Sequence, residues 1–256
     1  MYYSTVPIIA LIILIISNWD LLFRRKTGDK IPARKQYFFF LVSVALFYIA
    51  DLLWGLFETY NIHVADYIVT VSFFALMSIS VWLWSFYVVA YIGHHKYVSR
   101  LFTIANSVLM ALCLTLLIIN FFHPVMFTFE GGSYHALPFR TVYFIAQGVV
   151  FSLTSIYTLV FYLVKREENK RVKYVSITIF GLGMGAFISL QVFFPAWPVY
   201  SFGYLFGLLV VNTFVVAEQK KEYRVAVEEG KKREREQIEE LGSAKELAYT
   251  DALTGV

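Results

Sequence analysis

Seven long apolar runs dominate this chain, and they constrain its fold more than any other feature. Each approaches the roughly 20 residues that an α-helix needs to cross the hydrocarbon core of a bilayer. Their approximate bounds are Val6–Phe23, Tyr37–Phe57, Tyr67–Ile92, Leu101–Phe122, Thr141–Val164, Tyr174–Phe194 and Phe202–Ala217. The runs are continuous rather than alternating, which favours helices over a membrane β-barrel. The sequence therefore predicts an all-α membrane protein, with a seven-transmembrane helix bundle over residues 1–217.

The composition excludes an ordinary soluble domain. Hydrophobic residues make up 59% of the chain and charged residues only 16%, which is more apolar surface than a soluble core can bury. The first run has no Lys or Arg before it, so we expect a retained span rather than a cleaved signal peptide. Cys113 is the single cysteine, which excludes an intrachain disulfide.

The positive charges predict one orientation. The connectors after the first, third and fifth runs, together with the tail, hold every Lys and Arg except Arg140. Because cations are retained in the cytoplasm, we expect a multi-pass protein of the cytoplasmic (inner) membrane, with its N-terminus outside and its C-terminus inside.

The longest outer connector, His123 to Arg140, contains Gly-Gly and two prolines. These residues predict a structured turn or a small hairpin. It could act as a lid over the bundle or as a passive linker.

The tail changes character at Glu218. Residues 218–250 are mostly helix formers of mixed charge, which predicts a cytoplasmic signalling helix that continues the last span. One interpretation is a dimeric coiled coil with a seam through Val227, Ile238, Leu241, Ala248 and Ala252. The alternative is a basic juxtamembrane helix close to anionic lipid.

The chain ends in a motif with a family resemblance. Asp251-Ala252-Leu253-Thr254-Gly255-Val256 resembles the D-x-L-T-G-L segment that opens the GGDEF family of diguanylate cyclases, with Val256 where Leu is usual. The alternative is that Gly255 simply ends a helix. The bundle also resembles bacterial membrane sensors that precede these cyclases, through Asp51–Gly55 and Gln191–Pro195.

The resemblance implies a function for a longer protein. In that family two cyclase domains, brought together in a homodimer, condense two GTP molecules to cyclic di-GMP with Mg²⁺. The carboxylates and the loop that perform this chemistry would follow Val256. We therefore predict no catalytic residues, no cofactor and no enzyme activity within this chain.

Other cofactor chemistries find no support in the spans. No span contains the lysine that a retinal Schiff base needs, and the five histidines lie in connectors or at span ends, which argues against haem. No ligand spacing suggests a metal site. The cationic clusters are explained by orientation, so nucleic-acid binding is not predicted.

A few polar residues lie in or near the outer half of the predicted bundle. Asp51, Trp54 and Glu58 share one helical stripe, and three amides come from the outer ends of other spans: Asn120, Gln147 and Gln191. A charge at membrane depth should face the interior. Asp51 beside Trp54 could bind a cationic or amine-bearing small molecule, or Asp51 could hydrogen-bond a neighbouring helix as a packing contact.

Small residues mark two helices for close packing. Gly181 and Gly185 in the sixth run, and Gly203 and Gly207 in the seventh, have the four-residue spacing of tight helix contacts. We favour packing of these two helices on each other within one subunit over a dimer seam.

The sequence as a whole predicts a membrane receptor for signal transduction, which binds an unknown ligand and controls a cyclase. A small transporter or channel is one alternative, and the sensor region of a histidine kinase is another.

Overall fold

The computed structural model describes residues 2–23, 33–60, 62–92, 96–131, 133–165 and 171–254. The chain divides into two compact units, Met1–Phe214 and Val215–Val256. The elements are α1 (Tyr2–Ser17), α2 (Trp19–Phe23), α3 (Arg34–Tyr60), α4 (His63–Ile92), α5 (Lys96–Phe122), β1 (Phe127–Glu130), β2 (Ser133–Ala136), α6 (Pro138–Lys165), α7 (Arg171–Phe193) and α8 (Val199–Thr254).

Among the described residues, five helices are long and apolar enough to cross a membrane, and they coincide with the second to sixth predicted runs. They are Arg34–Tyr60, His63–Ile92, Ser99–Phe122, Pro138–Val164 and Arg171–Phe193. The first and seventh runs form shorter apolar helices, Tyr3–Ser17 and Val199–Phe214. The prediction of an all-α membrane protein is confirmed at this level.

The first predicted run is not one helix, because the chain turns at Asn18 between α1 and α2. The Asn18 side chain donates a hydrogen bond from Nδ2 to the carbonyl of Leu14 (3.1 Å) and accepts one at Oδ1 from the Tyr37 phenol (3.2 Å). Asparagine offers the backbone such alternatives to a helical ladder. The prediction of a continuous span over Val6–Phe23 is therefore wrong at this residue.

Aromatic side chains fill the centre of the first unit. Phe180 of α7 stacks on Trp84 of α4 at 3.8 Å between ring centroids, and Phe40 of α3 lies against both rings. Tyr204 of α8 makes edge contacts to Phe40 and Phe47. This cluster, buried from every direction, joins α3, α4, α7 and α8.

Two of the four predicted packing glycines lie where α7 meets α8. A Cβ on Gly207 would overlap the ring of Phe180, and one on Gly203 would lie 2.9 Å from the Cβ of Phe187. The other two, Gly181 and Gly185, face Ser155 and Ser152 of α6 instead. Assigning all four glycines to one contact between the last two helices was wrong, since Gly181 and Gly185 of α7 face α6, whereas Gly183 of α7 faces Phe206 of α8.

The connector between α5 and α6 forms a β-hairpin, so the prediction of a small hairpin is confirmed. Strand β1 pairs antiparallel with β2, from Phe127 opposite Ala136 to Glu130 opposite Ser133. Gly131 begins the turn with a φ of 60°, a left-handed conformation that glycine adopts without steric cost. We call the end of the bundle that carries this connector the hairpin end.

The second unit consists of the remainder of α8, up to Thr254. Three residues of the predicted seam, Val227, Ile238 and Leu241, are exposed, and Lys232 pairs with Glu236 one turn later at 3.8 Å. Of the cyclase-like motif, Asp251, Leu253 and Thr254 belong to the helix, whereas Gly255 lies outside the described residues.

Candidate functional site

Asp51 forms the centre of a buried contact between three helices. It lies on α3 and is 1% exposed. The Tyr3 phenol of α1 donates a hydrogen bond to Oδ1 at 2.6 Å, and the Ser201 hydroxyl of α8 donates a short one to Oδ2. Both carboxylate oxygens are therefore used to join helices, which is the packing alternative considered from the sequence.

Trp54 lies one turn along α3 from Asp51 and faces the same interior. It packs against Tyr3, with ring centroids 4.7 Å apart, and meets Tyr134 of β2 edge-on at 5.8 Å. Glu58, one further turn along, is only partly buried. Burial along the predicted stripe thus decreases from Asp51, which is fully buried, to Glu58, which is partly exposed.

Asn120, at the end of α5, holds the base of the hairpin. Its Oδ1 accepts backbone N–H groups from Val125, Met126 and Phe127 at 2.8, 2.7 and 3.2 Å. Its Nδ2 donates to the carbonyl of Phe127 at 3.1 Å. With both ends of the amide occupied, Asn120 positions the hairpin.

Gln147 belongs to a chain of side-chain hydrogen bonds in the core. Its Nε2 donates to the Tyr143 phenol at 2.8 Å, and Tyr143 donates to Ser78 of α4 at 2.9 Å. Its Oε1 accepts the Tyr200 phenol of α8 at 3.1 Å. Gln147 therefore connects α4, α6 and α8 through groups that are already paired.

Gln191 closes the turn between α7 and α8. Its Nε2 donates to the carbonyls of Phe194 and Pro195, both at 3.2 Å, and its Oε1 accepts the backbone N–H of Tyr200 at 2.8 Å. The last bond satisfies an N–H in the first turn of α8, a group that has no partner within the helix. Gln191 is thus a capping residue for α8.

Arg140 is a buried residue of this region that the sequence prediction did not include. It lies in the first turn of α6 and is 2% exposed. Its Nη2 donates to the backbone carbonyl of Gln191 at 3.2 Å, and the guanidinium lies over the Phe144 ring, 4.6 Å from the centroid. Nη1 has no hydrogen-bond partner among the described residues. The signal in the sequence was its position as the only cation in the outer connectors.

The Tyr134 phenol lies beside this guanidinium. Burial raises the pKa of Tyr134 to about 12, and the positive charge of Arg140 opposes part of that rise. Tyr134 therefore stays neutral across the physiological range.

A small cavity lies where these groups meet, at the hairpin end. Its volume of about 20 Å³ is enough for one water molecule. Among its lining residues are Tyr3, Trp54, Phe73, Tyr134, Arg140 and Gln191. Of the six residues predicted to bind a ligand, Trp54 and Gln191 line it, whereas Asp51, Glu58, Asn120 and Gln147 do not.

A larger cavity lies toward the other end of the bundle, between α4, α5 and α6. Its volume is about 210 Å³, and its walls are mostly apolar, with Val88, Phe102 and Leu153 among them. None of its lining residues carries a charged side chain.

Within the described ranges, no group of three or more His, Cys, Asp or Glu side chains could hold a metal ion. Comparison with protein-family models, curated proteins and solved structures finds no match for this chain.

Proposed function

We propose that this chain is a transmembrane sensory module. It binds a ligand from outside the cell or from the membrane, and it regulates cyclic di-GMP synthesis by a diguanylate cyclase domain that follows α8. One observation carries the proposal: the first turn of α8 is hydrogen-bonded to residues at the hairpin end through Tyr200 and Ser201, and the same helix continues to Thr254.

The proposal includes seven crossings of the membrane. The apolar helices Tyr3–Ser17 and Val199–Phe214 are each about 22–24 Å long at about 1.5 Å per residue. They join the other spans because a bilayer can thin locally around a short helix. With the cationic connectors in the cytoplasm, the hairpin end faces outside and α8 leaves the membrane inside.

The coupling follows from the contacts of α8. A ligand shifts a conformational equilibrium only if it binds one state better than another. Movement of Tyr3 or of the residues around Arg140 changes the contacts of Ser201 and Tyr200, so the two states differ at the start of α8. The cyclase-like segment Asp251–Val256 supports the output, with Mg²⁺, GTP and a homodimer required by that family's reaction.

The test uses the full-length protein, including whatever follows Val256, purified in lipid nanodiscs. Cyclic di-GMP formed from GTP and Mg²⁺ is measured by mass spectrometry for the native protein and for Ser201→Ala. We expect a several-fold change in rate for this variant, because it removes the hydrogen bond between α8 and Asp51.

Ser189→Ala is the matched control, since Ser189 is an exposed residue of α7 that bonds only to the Gly185 carbonyl of its own helix. Its rate should equal that of the native protein. A full-length protein that makes no cyclic di-GMP, or equal rates for both variants, contradicts the proposal. Phosphorylation of a histidine in the following domain would favour the kinase alternative, and ligand flux in liposomes would favour a transporter.

A further inference from the structure

We infer that the cavity at the hairpin end is an anion site, in which Arg140 binds the carboxylate of a small ligand with a compact apolar or aromatic body. This deepens the proposed sensory function and rests on it for biological meaning, although the binding itself can be measured separately. It also reverses the expectation that Asp51 would bind a cationic ligand.

Arg140 carries a positive charge into the interior of the bundle. The Arg140 guanidinium is buried, and none of the ion pairs between described residues includes it. Burying a charge without an opposite charge is unfavourable, even where hydrogen bonds offset part of the cost. A ligand that brings a negative charge removes this cost on binding.

The nearby acids do not supply the counter-charge. Asp51 uses both oxygens for the hydroxyls of Tyr3 and Ser201. Asp66, also buried at this end, has Glu58 and His63 as its charged neighbours. Neither of these two carboxylates is among the groups that interact electrostatically with Arg140, which are Tyr134 and Tyr3.

The guanidinium of Arg140 has one bound end and, within the described part of the chain, one free end. Nη2 is held by the Gln191 carbonyl, which fixes the guanidinium, while Nη1 has no partner among the described residues and belongs to a side chain that lines the cavity. A guanidinium edge with free N–H donors suits a carboxylate, whose oxygens accept short charge-assisted hydrogen bonds. A lysine ammonium would not give the same planar arrangement.

Aromatic side chains form much of the cavity wall. Tyr3, Trp54, Phe73 and Tyr134 line the same cavity as Arg140. Such surfaces favour a flat, apolar ligand body, and small-molecule sites commonly combine apolar walls with one or two placed polar groups. A small aromatic acid satisfies both the charge and the walls.

The cavity must open to admit such a ligand, because about 20 Å³ holds only one water. Tyr134 covers it from the hairpin, and a two-stranded hairpin is marginally stable by itself. Displacing β2 therefore costs less than separating two packed helices. The site assigns the role of lid to the hairpin, with Asn120 as its anchor.

The experiment measures binding to the full chain in lipid nanodiscs. Acetate, benzoate, phenylacetate and indole-3-acetate are compared with the amides of the same acids, by thermal shift and isothermal titration calorimetry at up to millimolar concentrations. We expect at least one aromatic acid to bind and its amide to bind about tenfold to a hundredfold more weakly, the range set by one charge-assisted hydrogen bond.

Two variants locate the binding. Arg140→Gln should weaken binding of the acid to the level of the amide, whereas Arg171→Gln should leave it unchanged. Arg171 is a suitable control because it is an exposed arginine whose guanidinium contacts Tyr162, which does not line the cavity. If Arg140→Gln does not fold, Tyr134→Ala keeps the guanidinium and widens the cavity, and calorimetry should still show the acid binding about tenfold or more tightly than its amide.

The possible results separate the hypotheses. No binding by any acid, equal binding of acids and amides, or undiminished binding by Arg140→Gln overturns the carboxylate site. Stabilisation by chloride that aromatic acids do not compete with also overturns it, because the ligand would then be a halide. Acid binding that leaves cyclic di-GMP synthesis by the full-length protein unchanged overturns the sensory function and keeps the site.

Discussion

Replacing Asn120 by alanine tests whether this residue anchors the hairpin, as its contacts indicate, or binds a ligand, as the sequence suggested. The Asn120 side chain makes four hydrogen bonds to the segment 125–127, three of them as acceptor from backbone N–H groups. Each is worth about 0.5–1.5 kcal/mol net. Losing the three N–H bonds should lower the local free energy of opening by about 1.5–4.5 kcal/mol.

This loss predicts a large change in hydrogen exchange. Since each 1.4 kcal/mol corresponds to about tenfold, the backbone amides of Met126 and Phe127 should exchange about ten to a thousand times faster in Asn120→Ala. Hydrogen–deuterium exchange of the peptide covering residues 123–137, followed by mass spectrometry in nanodiscs, measures it.

Asn106→Ala is the matched control on the same helix. Asn106 is also buried, but its Nδ2 donates only to the Phe102 carbonyl one turn before it. Its replacement should leave exchange in the hairpin unchanged. Equal exchange in the native protein and in Asn120→Ala would refute the anchoring role, and with it the assignment of the hairpin as a lid hinged at this residue.

Three further predictions concern packing, the buried acid and pH. Gly207→Ala should destabilise the bundle by up to about 2 kcal/mol, because overpacking against a ring of α7 costs about 1–3 kcal/mol and the higher helix propensity of alanine offsets about 1 kcal/mol of it. In the control Gly230→Ala, the added Cβ meets no atom within 4 Å, so this variant should stabilise α8 by up to about 1 kcal/mol. Thermal unfolding measures both changes. Tyr3→Phe should cost about 1.5–3 kcal/mol, since it removes a donor from the buried carboxylate on α3, whereas Tyr97→Phe at an exposed position should cost nothing in the same assay. Burial raises the pKa of Tyr134 from 10.0 to about 12. The contribution of the protonated phenol to stability is therefore complete below pH 10 and is lost as pH rises toward 12. The melting temperature should fall over this pH range in the native protein, and it should fall less in Tyr134→Phe.

The spans were predictable because their signal is continuous. A run of about 20 apolar residues has few alternatives to a membrane helix, and the structure places long apolar helices at the second to sixth runs. The break at Asn18 was not predictable. A single asparagine in an apolar run gives the same sequence pattern whether its amide only contacts a neighbouring helix or also interrupts its own helix. The Tyr37 phenol that accompanies the turn is 19 residues away in sequence.

The polar residues show a different limit. Burial of Asp51 followed from the cost of a charge in lipid, but its partners Tyr3 and Ser201 come from α1 and α8 and could not be read from spacing. Arg140 was treated as evidence for orientation, because only the fold brings it under the hairpin and against Gln191. Sequence patterns located the polar residues, and tertiary contacts decided which of them remain available to a ligand.

Tyr200 has a mechanical consequence for the last helix. Its backbone N–H is bound by Gln191 of α7, and its phenol is bound by Gln147 of α6. Hydrogen bonds to two different helices restrict rotation of the first turn of α8 about the helix axis more than a single bond would. The top of α8 can therefore leave its resting position only by breaking one of these bonds or by dragging a neighbouring helix along. Rotation of α8 at this end is therefore coupled to movement of α6 and α7.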